Sequence, residues 1–328
     1  MKQESSILAI QGKKGIGDGI IYLPFIFYLA KKFNSPVSLL AQKNTRAEDL
    51  LKTSPFIKEV ITLDRDDKNK SGRHYGIKGT FNLIKDLKEK NFSKSFTFNS
   101  SYRYAFINRL AGIKERYQYP LGEKKNQNII EAAKAFIFQN FEENIESNPK
   151  LTVENKVLSE IKNKYEFKND KISILLGCGG SGATKRIGPE KFTKFMDLVT
   201  RDTNCKFFIA AGSNEEEQKI VDAITNSKHK QNCIAINKMD IADTETLAII
   251  KNCDLACCTD SSFSHIAAAL EIPTITIMTD TPMLYGSYHK LMHPILPSGL
   301  SHVTHNSLGA EKIKPEDIYI KAKKILNL

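Results

Sequence analysis

Asp260, Ser261, Ser262 and His265 fall within one stretch, Asp254–Pro273 (DLACCTDSSFSHIAAALEIP), in which the apolar run Leu255–Cys258 gives way to a polar cluster and then to a small-residue helix. A helix starting at Ser261–Ser262 exposes backbone N–H groups that have no carbonyl four residues back, and such groups bind anions. The pattern also fits a plain serine N-cap. A carboxylate and an imidazole flanking the same helix start favour a phosphate site. A second candidate is Asp18, set in the glycine-rich run Gly12–Gly19 (GKKGIGDG). Glycines let backbone and ligand approach closely, and a carboxylate there suits a general base; it suits a helix N-cap equally well. The run lacks the Lys-Ser/Thr ending of a P-loop and the third glycine of a dinucleotide fingerprint, so neither motif is supported.

Both candidates need strands to carry them. Apolar strands at Ile7–Ile10, Pro36–Ala41, Ile57–Leu63 and Ser95–Phe98 alternate with helical patterns at Ile20–Lys32, Thr45–Thr53, Thr80–Lys90 and from Tyr102 through Leu110. Such alternation implies a parallel sheet. The charged, glycine-bearing stretch Asp64–Gly79 reads as a mobile loop. Polar residues Asn99, Ser100 and Arg103 gather after a strand. Ligands of open α/β sheets bind beyond the carboxyl ends of strands, which puts this turn on one rim with Asp18. The scheme repeats with a strand at Ile172–Leu176, the loop Gly177–Arg186 and a helix opened by Pro189. Next come a strand at Phe207–Ala211, the turn Gly212–Glu217, a helix at Thr244–Lys251, a strand at Thr274–Met278 and a terminal amphipathic helix at Pro315–Leu328. The expected division is 1–166 and 167–328, with the linker near Glu166–Asp170 and the last helix a candidate to pack back on the first domain.

A chain of 328 residues supports two such domains. Its 41% hydrophobic and 26% charged content is that of a globular protein. The run Ile7–Ile10 falls far below a secretory signal or a membrane span, so a cytoplasmic protein is expected. Cys178, Cys205, Cys233, Cys253, Cys257 and Cys258 show no zinc-type spacing and read as reduced core residues. A formal charge of +11 attracts anions. The lysines are scattered and do not interleave with aromatics, which argues against nucleic acid and leaves phosphorylated substrates or an anionic membrane face.

Four blocks resemble glycosyltransferase family 9, the ADP-heptose:lipopolysaccharide heptosyltransferase type. They are Gly17-Asp18 with Leu23-Pro24 and Leu29, Ser54–Val60, Asn99-Ser100 through Ile113 with Arg116, and most specifically Asp260–Leu270, similar to the family's DTG-x-SH-x-AAAL. The resemblance implies a GT-B fold, two Rossmann-like α/β/α domains facing a central cleft. The first would bind the acceptor and the second the nucleotide-sugar donor. It implies an inverting, metal-independent transfer of heptose from ADP-heptose to a lipopolysaccharide or lipooligosaccharide core, with no cofactor and no metal. Asp18 matches the general base. Lys185 or Arg186 matches the phosphate-binding cation, and Gly212, Glu216, Asp260, Ser261, Ser262 and His265 match the donor region, with Glu215 and Glu217 competing for the place of Glu216. Asn99, Ser100 and Arg103 are left to the acceptor. The implied partners are the donor, a lipid-linked or core oligosaccharide and, peripherally, the anionic cytoplasmic face of an inner membrane. Asp64-Arg65-Asp66 has DxD spacing but lies in the loop and reads as solvated charge. The family's Thr-Gly is here Ser261-Ser262, which leaves open another nucleotide sugar used for a different surface glycan. From other classes, a non-catalytic nucleotide-sugar-binding protein and a nicotinamide-dependent oxidoreductase remain.

Overall fold

The computed structural model describes residues 6–122, 128–168 and 170–328; residues 1–5, 123–127 and Asn169, the last inside the expected linker, lie outside the described residues. The chain divides into two compact units, Met1–Pro149 and Lys150–Leu328.

In the first unit, β1 (Ile7–Gln11), β2 (Val37–Gln42), β3 (Ile57–Leu63), β4 (Lys94–Thr97) and β5 (Glu115–Gln118) form one sheet in the order β3-β2-β1-β4-β5. All its pairings are parallel. The connecting helices are α1 (Ile16–Ile21), α2 (Leu23–Lys32), α3 (Ala47–Leu50), α4 (Gly76–Glu89), α5 (Tyr102–Leu110) and α6 (Ile129–Phe141). Every residue of β1 and β2 is buried. Strands covered on both faces read as unbroken apolar runs, which is why these two are visible in the sequence. A core of Leu8, Ile10, Leu40, Leu83, Leu87 and Ile107 seats α4 and α5 on the sheet. Aromatic rings of Phe33, Phe96, Tyr117 and Phe141 pack together, with Phe96 and Tyr117 stacked at 4.7 Å.

The second unit holds α7 (Asn155–Lys164), β6 (Ile172–Gly177), α8 (Pro189–Asp202), β7 (Cys205–Ala210), α9 (Glu215–Thr225), β8 (Cys233–Ala235), α10 (Thr244–Lys251), β9 (Leu255–Thr259), α11 (Ser262–Ala269), β10 (Thr274–Ile277), α12 (Leu284–Ser287), β11 (Met292–Ile295) and α13 (Pro315–Leu326). Its strand order is β11-β10-β9-β6-β7-β8, again all parallel. Counted from its own first strand this is the doubly wound 3-2-1-4-5-6 order.

The units part at Pro149, earlier than the expected boundary at 166. The reason is that α7 belongs to the second core. Asn252 Nδ2 donates to the Leu158 carbonyl at 3.2 Å, Tyr165 Oη donates to Glu245 at 2.7 Å, and Leu151 N donates to the Ala269 carbonyl at 2.8 Å. Ile318 and Ala322 of the last helix lie in the second unit's core with Phe192 and Phe195 of α8.

The stretch from Asp64 to Gly79 is folded. Asp64 Oδ2 accepts from Arg73 N at 2.8 Å, and Asp66 Oδ1 accepts from Lys68 N at 2.9 Å. His74, buried, accepts from Asp64 N at 3.1 Å through Nδ1 and meets Asp86 at 2.9 Å through Nε2. The carboxylates with DxD spacing therefore hold turns of their own loop.

Candidate functional site

Each sheet reverses strand order once, between β1 and β4 and between β6 and β9. Most of the polar turns singled out from the sequence follow one of these four strands; the turn Gly212–Glu217 follows β7, next to β6. At such a reversal the two flanking loops splay apart and leave room for a ligand beyond the strand ends.

In the first unit, Asp18 lies in the first turn of α1 and is half-buried. Gly15, which caps that helix, has φ 96°, a left-handed conformation suited to glycine. The turn after β4 comes alongside: a side chain on Gly12 would sit 3.2 Å from Asn99 Nδ2. Asn99 Oδ1 accepts from Ser101 N at 2.9 Å, and Ser101 caps α5 by accepting from Arg103 N at 3.3 Å. Ser100 is half-buried, its carbonyl accepting from Gly122 N at 3.2 Å. Asp18, Asn99 and Ser100 thus belong to neighbouring turns at one reversal. Arg103 does not open onto them. Its Nε donates to Thr80 Oγ1 at 3.0 Å, its Nη2 donates to the His74 carbonyl at 2.7 Å and its Nη1 is enclosed, so it laces α5 to α4.

In the second unit the reversal is built of glycines and charge. A side chain on Gly177 would lie 2.6 Å from Cys258 Sγ, so β6 and β9 approach as closely as they do only with glycine there. Thr259 Oγ1 donates to the Gly177 carbonyl at 3.2 Å and also to that of Gly179, binding the turn after β6 to the end of β9. One turn of 3₁₀ helix, Ala183–Lys185, then brings the Lys185 ammonium to Asp260 Oδ2 at 2.8 Å. Asp260 keeps 5% of its side chain exposed. Burial alone would raise its pKa, but nearby positive charge outweighs this and the carboxyl lies below its ordinary value, hence ionised.

His265 stands beside it, with Nε2 3.8 Å from Asp260 Oδ1. Burial lowers the histidine's pKa despite that carboxylate, so the imidazole is neutral at pH 7; His265 and Lys185 both favour the ionised Asp260, and Lys185 is the permanent cation of the two. His265 Nδ1 meets Tyr288 Oη at 2.8 Å, and burial raises the tyrosine's pKa. The hydroxyl therefore keeps its proton and donates to Nδ1, leaving the ring proton on Nε2, towards Asp260. Ser261 precedes α11 in extended conformation and its Oγ, though enclosed, has no hydrogen-bond partner. Ser262 opens the helix and is half-buried.

Three glutamates open α9, and the structure separates them. Glu216 is exposed and pairs with Lys219 at 3.0 Å, so it does not face the glycine turns. Glu217 does: it is buried and accepts from Gly180 N at 3.0 Å and Gly212 N at 2.5 Å. Arg186 Nη1 lies 3.5 Å from the same carboxylate and 3.4 Å from Asn214 Oδ1. A side chain on Gly212 would collide with Glu217. Of the two candidate cations, Lys185 is on Asp260 and Arg186 on Glu217.

The sequence reading did not include Tyr288. Asp280 Oδ1 accepts from Leu308 N at 3.1 Å, and Thr279 Oγ1 donates to the Thr184 carbonyl at 2.7 Å. These tie the loop after β10 to the turn that carries Lys185. The cysteines are free, and burial pushes the Cys258 thiol up to about 12, which keeps it protonated and inert.

Two parallel α/β units in succession, each reversing its strand order once, are the architecture of the GT-B fold. The chain belongs to glycosyltransferase family 9 (heptosyltransferase), whose sequence profile matches residues 80–295. It is 21% identical to lipopolysaccharide heptosyltransferase 1 of Campylobacter coli over 97% of this chain and 98% of that protein. The family 9 glycosyl transferase of Veillonella parvula superposes with a TM-score of 0.79 at 17% identity, covering 100% of this chain and 99% of that one. Escherichia coli ADP-heptose LPS heptosyltransferase II gives 0.73 at 17% identity, covering 98% of each chain. E. coli heptosyltransferase WaaC, solved with ADP, gives 0.70 at 11% identity over 98% of this chain and 99% of that one. These likenesses establish the fold. No helix among the described residues is long and apolar enough to cross a membrane.

Proposed function

We propose that the protein transfers a heptose from ADP-heptose to a hydroxyl of a lipid-linked lipopolysaccharide or lipooligosaccharide core, with inversion and without a metal. The observation that carries this reading is the Lys185–Asp260 pair beside the free start of α11. An ammonium has three protons, and the contact with Asp260 uses one. The others, with the α11 amides and Ser261 Oγ, suit a diphosphate, and fixed donors of this kind stabilise a departing nucleotide. Asp260 keeps Lys185 in place, and Glu217 holds the Gly180 and Gly212 amides of the adjoining turns. On the acceptor side, Asn99 and Ser100 line the turn beside Asp18, and Arg103 holds the helix that follows. Asp18 takes the proton as the acceptor oxygen bonds to the anomeric carbon and the bond to the diphosphate oxygen breaks. One displacement inverts that carbon.

Thermal melting against a panel of nucleotide sugars tests the donor. A ligand at a hundred times its Kd stabilises the native state by about 2.7 kcal/mol, so ADP-heptose is expected to raise Tm where UDP- and GDP-sugars do not. Product configuration by NMR and turnover in EDTA test inversion and metal independence. A second reading, another nucleotide sugar for a different surface glycan, is favoured by Ser262, whose side chain stands where the motif it resembles has glycine. A melting shift confined to another nucleotide would replace the first reading with it.

A further inference from the structure

Five large apolar side chains stand on the solvent side of two neighbouring helices in the first unit: Ile77 and Phe81 of α4, and Tyr102, Phe106 and Leu110 of α5. Ile77 is 82% exposed, Tyr102 67% and Phe81 55%. Spacings of four residues align each set along one helix face. The inner faces are already occupied, since Leu83, Ile84 and Leu87 of α4 and Tyr104 and Ile107 of α5 lie in the core. Arg103 joins the two helices through Thr80 at 3.0 Å, so the two apolar lines are neighbours. Single exposed apolar residues are ordinary, whereas a rimmed group marks an interaction surface.

The charge of the same region identifies the partner. Residues 73–114 contain nine Lys and Arg against two Asp and Glu; Lys90 and Lys94 are paired with Glu59 and Glu115, and Arg103 lies between the helices. Lys78, Lys85, Lys88 and Arg109 are exposed on the two helices that carry the apolar lines. Asp86 is already engaged by Arg73 at 2.5 Å and His74 at 2.9 Å. A second copy would bring like charge to like charge. An anionic bilayer offers phosphates for the cations and an acyl boundary for the apolar side chains.

We propose that the α4–α5 face docks the enzyme on an anionic membrane surface, with Ile77, Phe81 and Phe106 entering the headgroup boundary and the flanking lysines on lipid phosphates. Docking needs neither donor nor acceptor, so it can fail while the transferase reading stands, and the reverse.

The test is co-sedimentation of the full chain with vesicles of phosphatidylglycerol and phosphatidylethanolamine, and with vesicles of phosphatidylcholine alone. The chain is expected to partition onto the first and not the second, and salt should weaken the association. The triple variant Ile77→Ser, Phe81→Ser, Phe106→Ser is expected to lower partitioning by about tenfold or more, and so is Lys78→Glu with Lys85→Glu. The charge variant carries the test on its own if the apolar one fails to fold. Equal binding by the wild-type and charge-variant chains, or no binding to anionic vesicles, would overturn the proposal. So would a wild-type dimer in light scattering that the apolar variant converts to monomer.

Discussion

Removing the lysine at the centre of the donor turn separates its structural role from its binding role. Lys185→Ala leaves Asp260 ionised with 5% of its side chain in water and a neutral imidazole as its nearest titratable neighbour. At 2.8 Å the attraction between the charges is roughly 6 kcal/mol at an effective dielectric near 20. Part of it is offset by hydration given up, and Lys185 remains 24% exposed, so water can enter when it is removed. The net cost should fall near the low end for breaking a buried pair, about 2–3 kcal/mol. For a unit of this size that lowers Tm by about 5–10 °C. Asp260→Asn in the same chain removes the stranded charge, so the double variant is expected to be more stable than Lys185→Ala alone, with a coupling above about 1 kcal/mol in a double-mutant cycle. Acid should act in the same direction. Without Lys185 the carboxyl loses its permanent cation and burial weighs more, so its pKa rises from the wild-type position and the folded variant takes up a proton more readily than the folded wild type. The variant's deficit therefore shrinks as pH falls towards the carboxylate range. Urea denaturation of the four chains at two pH values measures both effects, and isothermal titration with ADP should show affinity lost in both chains lacking Lys185. Additive stabilities, or a deficit unchanged in acid, would refute the argument that Lys185 helps to hold Asp260 ionised.

Asp18→Asn should lower kcat by about 10²–10⁴-fold while leaving donor affinity unchanged; steady-state kinetics and a nucleotide titration read the two separately, and unaltered turnover would remove Asp18 from the role of base. Glu217→Gln weakens the support of Gly180, Gly212 and Arg186 and should cost about 1–2 kcal/mol. Glu216→Gln should stay within about 0.5 kcal/mol, because that residue meets only Lys219 at the surface. Chemical denaturation compares them, and equal effects would contradict the geometry. His265 titrates below its ordinary 6.5 in the folded chain. The unfolded chain therefore binds a proton there first, and stability should fall as pH drops below that value, by up to about 1.4 kcal/mol per unit. Replacing His265 with Gln should flatten that part of the stability-pH curve, and a slope unaltered by the substitution would show that the histidine is not held neutral.

The parts of the fold legible in the sequence are those whose signal is local. Central strands such as β1 and β9 are unbroken apolar runs because helices cover both their faces, and each ends in a turn whose polar residues stand out against it. Among the edge strands, β3 is legible at Ile57–Leu63, but β5 and β11 carry no such mark. β5 is half-exposed, and β11 contains Pro294, which a strand tolerates at a sheet edge but which reads as a break in the sequence. The charge and glycine of Asp64–Gly79 suggest mobility because composition does not reveal partners. His74 is fixed by Asp86 twelve residues on, and α4 begins at Gly76 rather than at Thr80.

The site divides in the same way. Among three consecutive glutamates, helical phase could have singled out Glu217: Asn214 caps α9 by accepting from Glu217 N at 2.9 Å, and an acidic residue three positions after such a cap turns back over the helix start. That turn carries it to the Gly212 and Gly180 amides, while Glu216, one residue earlier, points to solvent. Nothing local could have found Tyr288, which meets His265 from 23 residues away, or Leu308, whose amide fixes Asp280 from 28. These distant partners set which ring nitrogen of His265 carries the proton and how firmly the loop after β10 is held. A strand, a turn and a helix start thus supply the groups that can bind a diphosphate, and the protonation those groups adopt depends on side chains that only the folded chain brings to them.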